Sequence, residues 1–396
     1  MHLDLNSAFA SIEQQNRPHL RGHPLAVAPY AHRSSVIISA SREARKLGIK
    51  TGMRVFEAMP LLPQLLVVEP HPQEYREVST KLLELLDSYS PDVLPLSIDE
   101  AVVDLASTPS EKRPRADLGH EIKARLRAEI GDWLTCSIGF GPNSFLAKLA
   151  AGLVKPDGLE VIDASNLVDV FSRLSLTDLQ GIAHANATKL HASGIWTPLD
   201  FLQASQHTLR HQAFGSIVGE AWYLRLRGYE IDFHAHPTKS VSHSHVLPTP
   251  TASQDELATL IVKLSDKLGR RLRKMESAAQ KLDLVLRTEG GVSHHAYSHH
   301  PRLYASSDIA QVALALQAKL EVNEEVRFVS IALTQLSDST TTQLDFFSPD
   351  DPKSERIADL IDQLRDRFGE DAIIPARLLG RQALAPDRIA FGRIQH

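Results

Sequence analysis

Two adjacent carboxylates, Asp99 and Glu100, interrupt an otherwise apolar stretch of this chain. Residues 93–96 before them are apolar, and so are Val102 and Val103 after them. Ionised carboxylates are costly to bury without partners, so the pair is expected at a strand end or hairpin tip that water or a cation can reach. Mg²⁺ in proteins typically takes one or two carboxylates together with substrate phosphates. The pair therefore indicates either a solvated hairpin end or a metal site.

A third acid, Asp4, has a similar apolar setting between Leu3 and Leu5. Only three residues precede it, and a strand this short would place the acid near a fraying terminus. We expect either that the first residues are packed down or that the natural start lies upstream.

Length and composition limit the class of protein. A chain of 396 residues with 43% hydrophobic residues is expected to form two to four domains with real cores. The single cysteine, Cys136, excludes an internal disulfide framework and fits a reducing cytosol. No signal peptide and no apolar run of membrane-spanning length is evident, so we expect a cytoplasmic protein without membrane contact.

The overall charge does not favour a nucleic-acid binder, because the net charge is −5 and the pI is about 6.4. Such proteins usually carry a basic patch. Residues 260–290 have eight basic and four acidic side chains, a net charge of +4. This stretch is either a local binding surface or a solvated helix face.

Periodic segments indicate a mixed α+β chain. Residues 72–90 have the three- and four-residue apolar spacing of a helix. Asn143 is a candidate cap for a helix that ends before Gly158. A further helix is predicted over 351–369, with Asp351 as its cap and Gly369 as its end. Its apolar residues share one face: Ile357, Leu360, Ile361, Leu364 and Phe368.

Four segments resemble, in order, the motifs of Y-family (translesion) DNA polymerases: residues 1–13, 41–53, 97–101 and 137–158. They span about 160 residues, and weaker similarity continues to about residue 345. The resemblance implies a right-hand polymerase of α+β multidomain class. The implied parts are a palm (1–10 and 72–160) with inserted small fingers (11–71), a helical thumb with a helix-hairpin-helix (161–230), a linker (231–240), a little finger (241–342), and a clamp-binding motif with a C-terminal tail (343–396).

The resemblance also implies the catalytic groups. Asp4, Asp99 and Glu100 would be the catalytic carboxylates and, with the carbonyl of Leu5, would hold two Mg²⁺ ions for nucleotidyl transfer. All three positions are acidic here, which disfavours a catalytically dead homologue.

The incoming dNTP would be bound by four residues. Arg45 and Lys155 match the family's phosphate-binding cations, with surface cations as the alternative, and Arg42 stands where the family usually has tyrosine. Phe9 holds the position of the steric gate, an aromatic ring that collides with a ribose 2′-hydroxyl; the alternative is an ordinary core phenylalanine. Beside it, Ala8 replaces a usually bulky residue, which is expected to loosen the pocket.

Primer-template DNA would be held by two regions. Gly181 and Ala183 lie in a segment similar to a helix-hairpin-helix, which presents backbone N–H groups to phosphate. Alanine resists positive φ, so this segment is either a weak phosphate grip or a plain helical pair. Arg287 and the histidine-rich stretch 293–300, with His294 and His295, fall on the little finger.

Histidine titrates near neutrality, so we hypothesise that the grip on DNA strengthens as the pH falls from about 8 to 6. A solvated hairpin and a histidine metal site are the alternatives for this stretch.

Residues 343–347 have the form of a sliding-clamp peptide, in which Gln343 would donate hydrogen bonds and Leu344, Phe346 and Phe347 would fill an apolar pocket. The alternative is local packing onto the helix at 351–369.

The whole pattern predicts a monomeric, template-directed DNA polymerase of low fidelity. One alternative is a polymerase-like DNA-binding accessory protein with negligible catalysis. The other, an unrelated metal-dependent phosphotransferase, would require the four ordered motifs to be coincidence.

Overall fold

The computed structural model describes residues 1–30, 32–233, 238–339, 352–381 and 384–386. The chain divides near residue 235 into two compact units. Among the described residues, none of the helices combines the length and the apolar character that a membrane span requires.

The first unit begins with a five-stranded sheet and the helices around it. Its first part contains β1 (His2–Leu5), α1 (Ala8–Asn16), β2 (Leu25–Val27), β3 (Ser39–Ala40), α2 (Arg42–Lys46), α3 (Val55–Leu61), β4 (Leu66–Val68), α4 (Pro72–Asp87), β5 (Val93–Pro95), β6 (Glu100–Val103), α5 (Arg115–Arg125), β7 (Cys136–Phe140), α6 (Ser144–Leu153) and β8 (Leu159–Val161). The strand order is β5-β6-β1-β7-β8, and only β7 and β8 are parallel. β1 is therefore the central strand.

The residue patterns explain why these elements form. All five residues of β7 are buried, as expected for an interior strand covered on both faces. On α4 the buried positions Tyr75, Val78, Leu82, Leu85 and Leu86 follow the predicted helical spacing. They join one cluster with the apolar residues of β1 and α1. The predicted boundary between palm and fingers at residue 11 falls inside α1, which packs with this cluster.

β7 and α6 approach each other at backbone distance. A methyl group placed on Gly139 would lie 2.1 Å from the carbonyl oxygen of Ala147 and 2.2 Å from the nitrogen of Ala151. A methyl group on Gly141 would lie 2.5 Å from the nitrogen of Ala147. Only glycine permits this contact, so the two glycines set how closely α6 lies against the sheet.

A small three-stranded sheet of order β3-β2-β4 forms the region inserted between α1 and α4. Ala26 and Ile37 belong to its separate buried cluster, with Ala44 of α2 and Ala58 of α3. Ser41 caps α2, because its side chain accepts a hydrogen bond from the nitrogen of Ala44. This cap fixes the start of the helix that carries Arg42 and Arg45.

The rest of the first unit is helical. It contains α7 (Leu167–Ser172), α8 (His184–Ala192), α9 (Pro198–Gln203) and α10 (Ile217–Leu226). These helices share a core with Phe145 and Leu149 of α6. The chain after α10 remains attached: Glu230 accepts hydrogen bonds from Ser144, and Asp232 pairs with Arg225. The attached segment thus extends into the predicted linker.

The second unit contains β9 (Ser240–Thr251), α11 (Gln254–Lys274), β10 (Ser277–Thr288), β11 (Ser293–Leu303), α12 (Ser306–Leu320), β12 (Val326–Asp338) and α13 (Pro352–Phe368). The antiparallel sheet has the order β11-β10-β12-β9. Leu282, Leu284 and Leu286 of β10 pack with α11 and α12 in one core. Side chains alternate along a strand, so Lys281, Asp283 and Arg287 lie on the opposite, open face.

Helix α13 is bound to this unit through charged side chains. Its predicted end at Gly369 is observed, with φ at +98°, whereas the predicted cap Asp351 lies outside the described residues. The ion pairs are Arg273–Asp362, Arg270–Asp366, Arg365–Asp266 and Arg302–Glu355. The predicted apolar face is not the main contact, because four of its five members are exposed: Ile357, Leu360, Leu364 and Phe368. Charge complementarity with α11 outweighs apolar periodicity here.

Candidate active site

The sheet brings the three predicted acids to one cavity. Asp4 on β1 is paired in register with Glu100 on the antiparallel neighbour β6, so their side chains share a face. The nitrogen of Leu5 donates to the carbonyl oxygen of Asp99 at 2.9 Å, which ties the third acid to the same strand. The cavity has a volume of about 670 Å³ and is lined by Asp4, Leu5, Phe9, Arg42, Arg45, Lys46, Thr51, Asp99, Glu100 and Lys155, among others.

Each carboxylate has its own partner. Lys148 of α6 donates to both oxygens of Glu100, at 2.8 and 3.0 Å. Lys155, which follows α6, donates to Asp4. Ser97 Oγ donates to Asp99 at 2.5 Å. Two of the three acids are thus paired with lysines, one within α6 and one in the segment that follows it.

The two adjacent acids have opposite electrostatic settings. Burial raises the pKa of Asp99, and the charges of Asp4 and Glu100 act in the same direction. Burial also opposes ionisation of Glu100, but interactions with His2 and Lys148 outweigh it and lower the pKa of Glu100 to about 2. Positive charge favours the ionised form of a carboxyl group. A cation in this cavity would therefore favour the ionised form of Asp99, which its present surroundings oppose.

The donor set fits a hard divalent cation, since it consists of carboxylate oxygens with the carbonyl of Leu5 at the end of β1. The acids do not form a tight cluster of three ligand atoms. Among the described residues, only Glu13, His71 and Glu74 bring three such atoms within 4.8 Å of one another. Arg17 already donates to Glu13 and to Glu74, at 2.8 Å each, so this group is an ion-pair network in which one guanidinium is shared by two carboxylates.

Asn6 links β1 to the loop that carries Lys155, a role that sequence reasoning missed. Its Oδ1 accepts from the nitrogen of Asp157 at 2.7 Å, and its Nδ2 donates to Ser137 Oγ at 2.9 Å. The side chain thus connects β1, β7 and the segment that carries Lys155. An asparagine directly after an acidic strand was a usable signal. The pairing of Lys148 with Glu100 was not, because only the fold brings them together.

Phe9 lies at the floor of the cavity and is 4% exposed. Its ring stacks on Tyr75 with centroids 4.7 Å apart and planes 14° apart. The Tyr75 hydroxyl donates to the buried carboxylate of Glu13, and burial with that carboxylate raises the pKa of Tyr75. The predicted gate residue therefore has an aromatic support that is itself fixed by a hydrogen bond.

The predicted phosphate-binding arginines both line the cavity. Arg45 donates to the carbonyl oxygen of Ala40 at 3.1 Å and to Thr51 Oγ1 at 3.2 Å. The Arg42 guanidinium instead lies over the ring of Trp133, with its carbon 5.4 Å from the ring centroid. Sequence analysis did not identify Trp133.

The predicted helix-hairpin-helix segment agrees with expectation at Gly181 and differs from it at Ala183. Gly181 adopts φ +91°, as expected for a tight turn. Ala183 precedes α8 as its N-cap with φ −92°, an ordinary extended value. The concern that alanine would resist positive φ was therefore wrong, because this position does not require it.

The predicted DNA-binding residues of the second unit separate into two faces. The strand pairing sets Val285 opposite His295 and Leu286 opposite His294. His295 therefore shares the open face with Arg287, and its Nε2 lies 3.0 Å from Asp283. His294 faces the helices, and among the described residues its Nε2 is buried without a hydrogen-bond partner. The four clamp-peptide residues, Gln343, Leu344, Phe346 and Phe347, lie outside the described residues.

Comparisons with known proteins agree with this architecture. The impB/mucB/samB family model matches residues 3–152, and the model of that family's C-terminal domain matches residues 238–346. DNA polymerase IV of Bacillus velezensis is 32% identical over 99% of this chain and 96% of its own. DNA polymerase IV 1 of Bacillus subtilis is 31% identical over the same shares of the two chains, 99% and 96%.

Solved structures show the same fold. A Y-family DNA polymerase chimera has a TM-score of 0.72 at 24% identity, covering 84% of this chain and 98% of its own. An insertion ternary complex of Dbh DNA polymerase has a TM-score of 0.57 at 23% identity, covering 84% and 97%.

Fold and cavity together define a polymerase of the right-hand type with acids on the central strands of its sheet. The chain belongs to the Y-family of DNA-directed DNA polymerases, in which it stands with the DNA polymerase IV proteins.

Proposed function

We propose that the chain is a template-directed polymerase of low fidelity that performs translesion synthesis by two-metal-ion nucleotidyl transfer. The observation that supports this best is the pairing of Asp4 with Glu100 on neighbouring strands, in a cavity that Asp99 and several cations also line. Asp4, Asp99, Glu100 and the Leu5 carbonyl would hold the Mg²⁺ ions. Bound there, the ions would lower the pKa of the attacking primer hydroxyl and balance charge on the leaving oxygen.

The remaining residues would bind and orient the substrates. Arg45 and Lys155 present cationic donors at the cavity wall, and Arg42 adds a planar fork suited to two phosphate oxygens. Phe9 would exclude a ribose 2′-hydroxyl, since its stacking on Tyr75 prevents the ring from moving aside.

Primer-template DNA is the proposed macromolecular substrate. Gly181 and Ala183 would contribute backbone donors to a phosphate, because they form the turn into the N-terminus of α8. Arg287 and His295 would contact DNA from the open face of the second unit, and His294 would support the sheet from behind. We also propose a monomer, a sliding clamp as partner of residues 343–347, and a cytoplasmic location that follows from the DNA substrate.

The test is Mg²⁺-dependent primer extension by the parent and by an Asp99→Ala, Glu100→Ala double variant. A matched control removes two acids elsewhere, Glu129→Ala with Asp169→Ala, both from exposed i,i+4 ion pairs with arginine. Extension by the parent and the control, but not by the site variant, is expected. Equal extension by all three would overturn the assignment of the acids.

The alternative of a catalytically weak accessory protein makes a different prediction. In that case the parent binds primer-template DNA but extends no primer, even at high dNTP concentration. The lysines that already neutralise Asp4 and Glu100 are the specific observation that favours it.

A further inference from the structure

Two guanidinium groups lie over the indole ring of Trp133. The guanidinium carbon of Arg21 is 5.3 Å from the ring centroid, and that of Arg42 is 5.4 Å away. Both distances are within the range at which a cation is attracted to an aromatic face.

The ring is fixed by α1 and the residues next to it. Trp133 Nε1 donates to Gln14 Oε1 at 3.0 Å, and the Trp133 backbone nitrogen donates to Gln15 Oε1 at 2.7 Å. Gln14 is fully buried. The position of the ring is therefore set before any ligand arrives.

The two arginines differ in their other contacts. Arg21 donates to both oxygens of Asp132 and to the carbonyl oxygens of Gln14 and Gln15. Among the described residues, the Arg42 guanidinium has no hydrogen bond or ion pair in addition to its ring contact. Arg42 lines the cavity with Arg45 and Lys155, so its planar donors remain available to a ligand there.

We propose that Trp133 is a positioning residue for the incoming nucleotide, holding the Arg42 guanidinium toward the triphosphate through its ring face. An arginine side chain loses substantial rotamer entropy when it is fixed, and a preformed platform reduces the loss that occurs on binding. The inference rests on the proposed function, because it assigns the polyphosphate site of the same cavity.

The test measures the affinity for inorganic tripolyphosphate by calorimetric titration, together with the KM and kcat for dNTP in primer extension. Arg42→Ala is expected to weaken tripolyphosphate binding about tenfold and Trp133→Leu about fivefold, each with kcat nearly unchanged. The double variant is expected to be no weaker than Arg42→Ala alone, since the ring acts only through that arginine.

Two further variants separate positioning from folding. Trp133→Phe keeps an aromatic face and is expected to restore affinity to within about twofold of the parent. Arg21→Ala removes the second guanidinium that contacts the ring and is expected to lower the stability but leave tripolyphosphate affinity within about twofold.

Each result of these measurements either supports or contradicts the proposed role of Trp133. Parent-like tripolyphosphate affinity in folded Trp133→Leu overturns it, as does an effect of Trp133→Leu that adds fully to that of Arg42→Ala. Absence of tripolyphosphate binding by the parent also overturns it. Parent binding without primer extension instead overturns the proposed function and leaves the role of Trp133 intact.

Discussion

Adjacent residues can affect the stability of this protein in opposite directions. Asp99 has a raised pKa in the folded state, so its contribution to stability is present below pH 3.8 and is lost as the pH rises through its folded pKa. Glu100 has a pKa lowered from 4.5 to about 2, so its contribution is present above pH 4.5 and is lost as the pH falls toward 2. At neutral pH the first acid destabilises the fold and the second stabilises it.

We predict that Asp99→Asn raises the free energy of unfolding at pH 7 by about 1 kcal/mol, because it removes a charge that the site holds ionised at a cost. Glu100→Gln is expected to lower it by about 2 kcal/mol, because Lys148 loses its carboxylate. Urea unfolding without divalent ions measures both. A loss of stability in both variants would contradict the opposite signs.

At the scale of single residues, the sequence was informative about the candidate catalytic acids but not about their partners. The acidity of Asp4, Asp99 and Glu100 and their apolar surroundings were visible in it. The partners Lys148 and Asn6 were not, because their contacts depend on how β1 pairs with β6 and β7 and on how α6 lies over the sheet. Trp133 was not visible either, because its contacts depend on where α1 and α2 lie.

At the scale of elements, β11 shows how alternation along a strand sorts a run of similar residues. His295 and His299 pair with Val285 and Lys281 on the open face. His294 lies behind the sheet with Leu286. Only the first two can approach a ligand on the open face, where Lys281 and Asp283 are the neighbouring charges.

We hypothesise that affinity for primer-template DNA rises roughly fivefold between pH 8 and pH 6 at fixed salt, because histidine as a residue type gains charge near neutrality and positive charge attracts a polyanion. A His295→Gln, His299→Gln variant is expected to lose most of this rise. His294→Gln is the control on the opposite face and should keep it. Fluorescence anisotropy measures the affinities, and a flat profile for the parent would end the hypothesis.

Helix α13 shows that apolar spacing does not determine which face of a helix is bound. The helix was predicted from its period of 3.6 residues, and its end at Gly369 was correct. Its orientation depends on Arg270 and Arg273 of α11, which lie far away in sequence and attract its acidic side.

We predict that Asp362→Ala lowers the free energy of unfolding of the second unit by about 3 kcal/mol, because Arg273 is only 5% exposed and would lose its carboxylate. Asp366→Ala is the matched control. Asp366 is 58% exposed, and the loss of such a pair is expected to cost less than about 1 kcal/mol. If chemical denaturation gave equal losses of unfolding free energy for the two variants, burial of the ion pair would not determine its contribution to stability.

At the scale of the whole molecule, each of the four buried apolar clusters among the described residues lies within one unit. We therefore expect calorimetry to resolve more than one unfolding transition. Leu284→Ala changes a fully buried position of the second unit. It is predicted to lower the free energy of unfolding for one of these transitions by about 3 kcal/mol. The affinity of this variant for nucleotide should stay unchanged. A shift of all transitions together would contradict the expectation that the units unfold separately.

The order of motifs along the chain was sufficient to predict the class of fold, because each motif occupies a defined strand, turn or helix. The extent of each part was harder to predict. The family resemblance implied the boundary at residue 11, and polar, aperiodic composition indicated the linker. The observed chain follows side-chain contacts, such as those of Glu230 with Ser144.

The close approach of β7 and α6 has a consequence for which mutations this enzyme could tolerate during evolution. Glycine-to-alanine exchange is among the mildest changes available to a gene, yet at Gly139 the added methyl group would meet backbone atoms at 2.1 and 2.2 Å. The helix would have to retreat, and Lys148 would retreat with it, away from Glu100. A mutation that adds one carbon atom, at a residue that does not line the cavity, would thereby disturb the contact between Lys148 and Glu100 in the proposed active site.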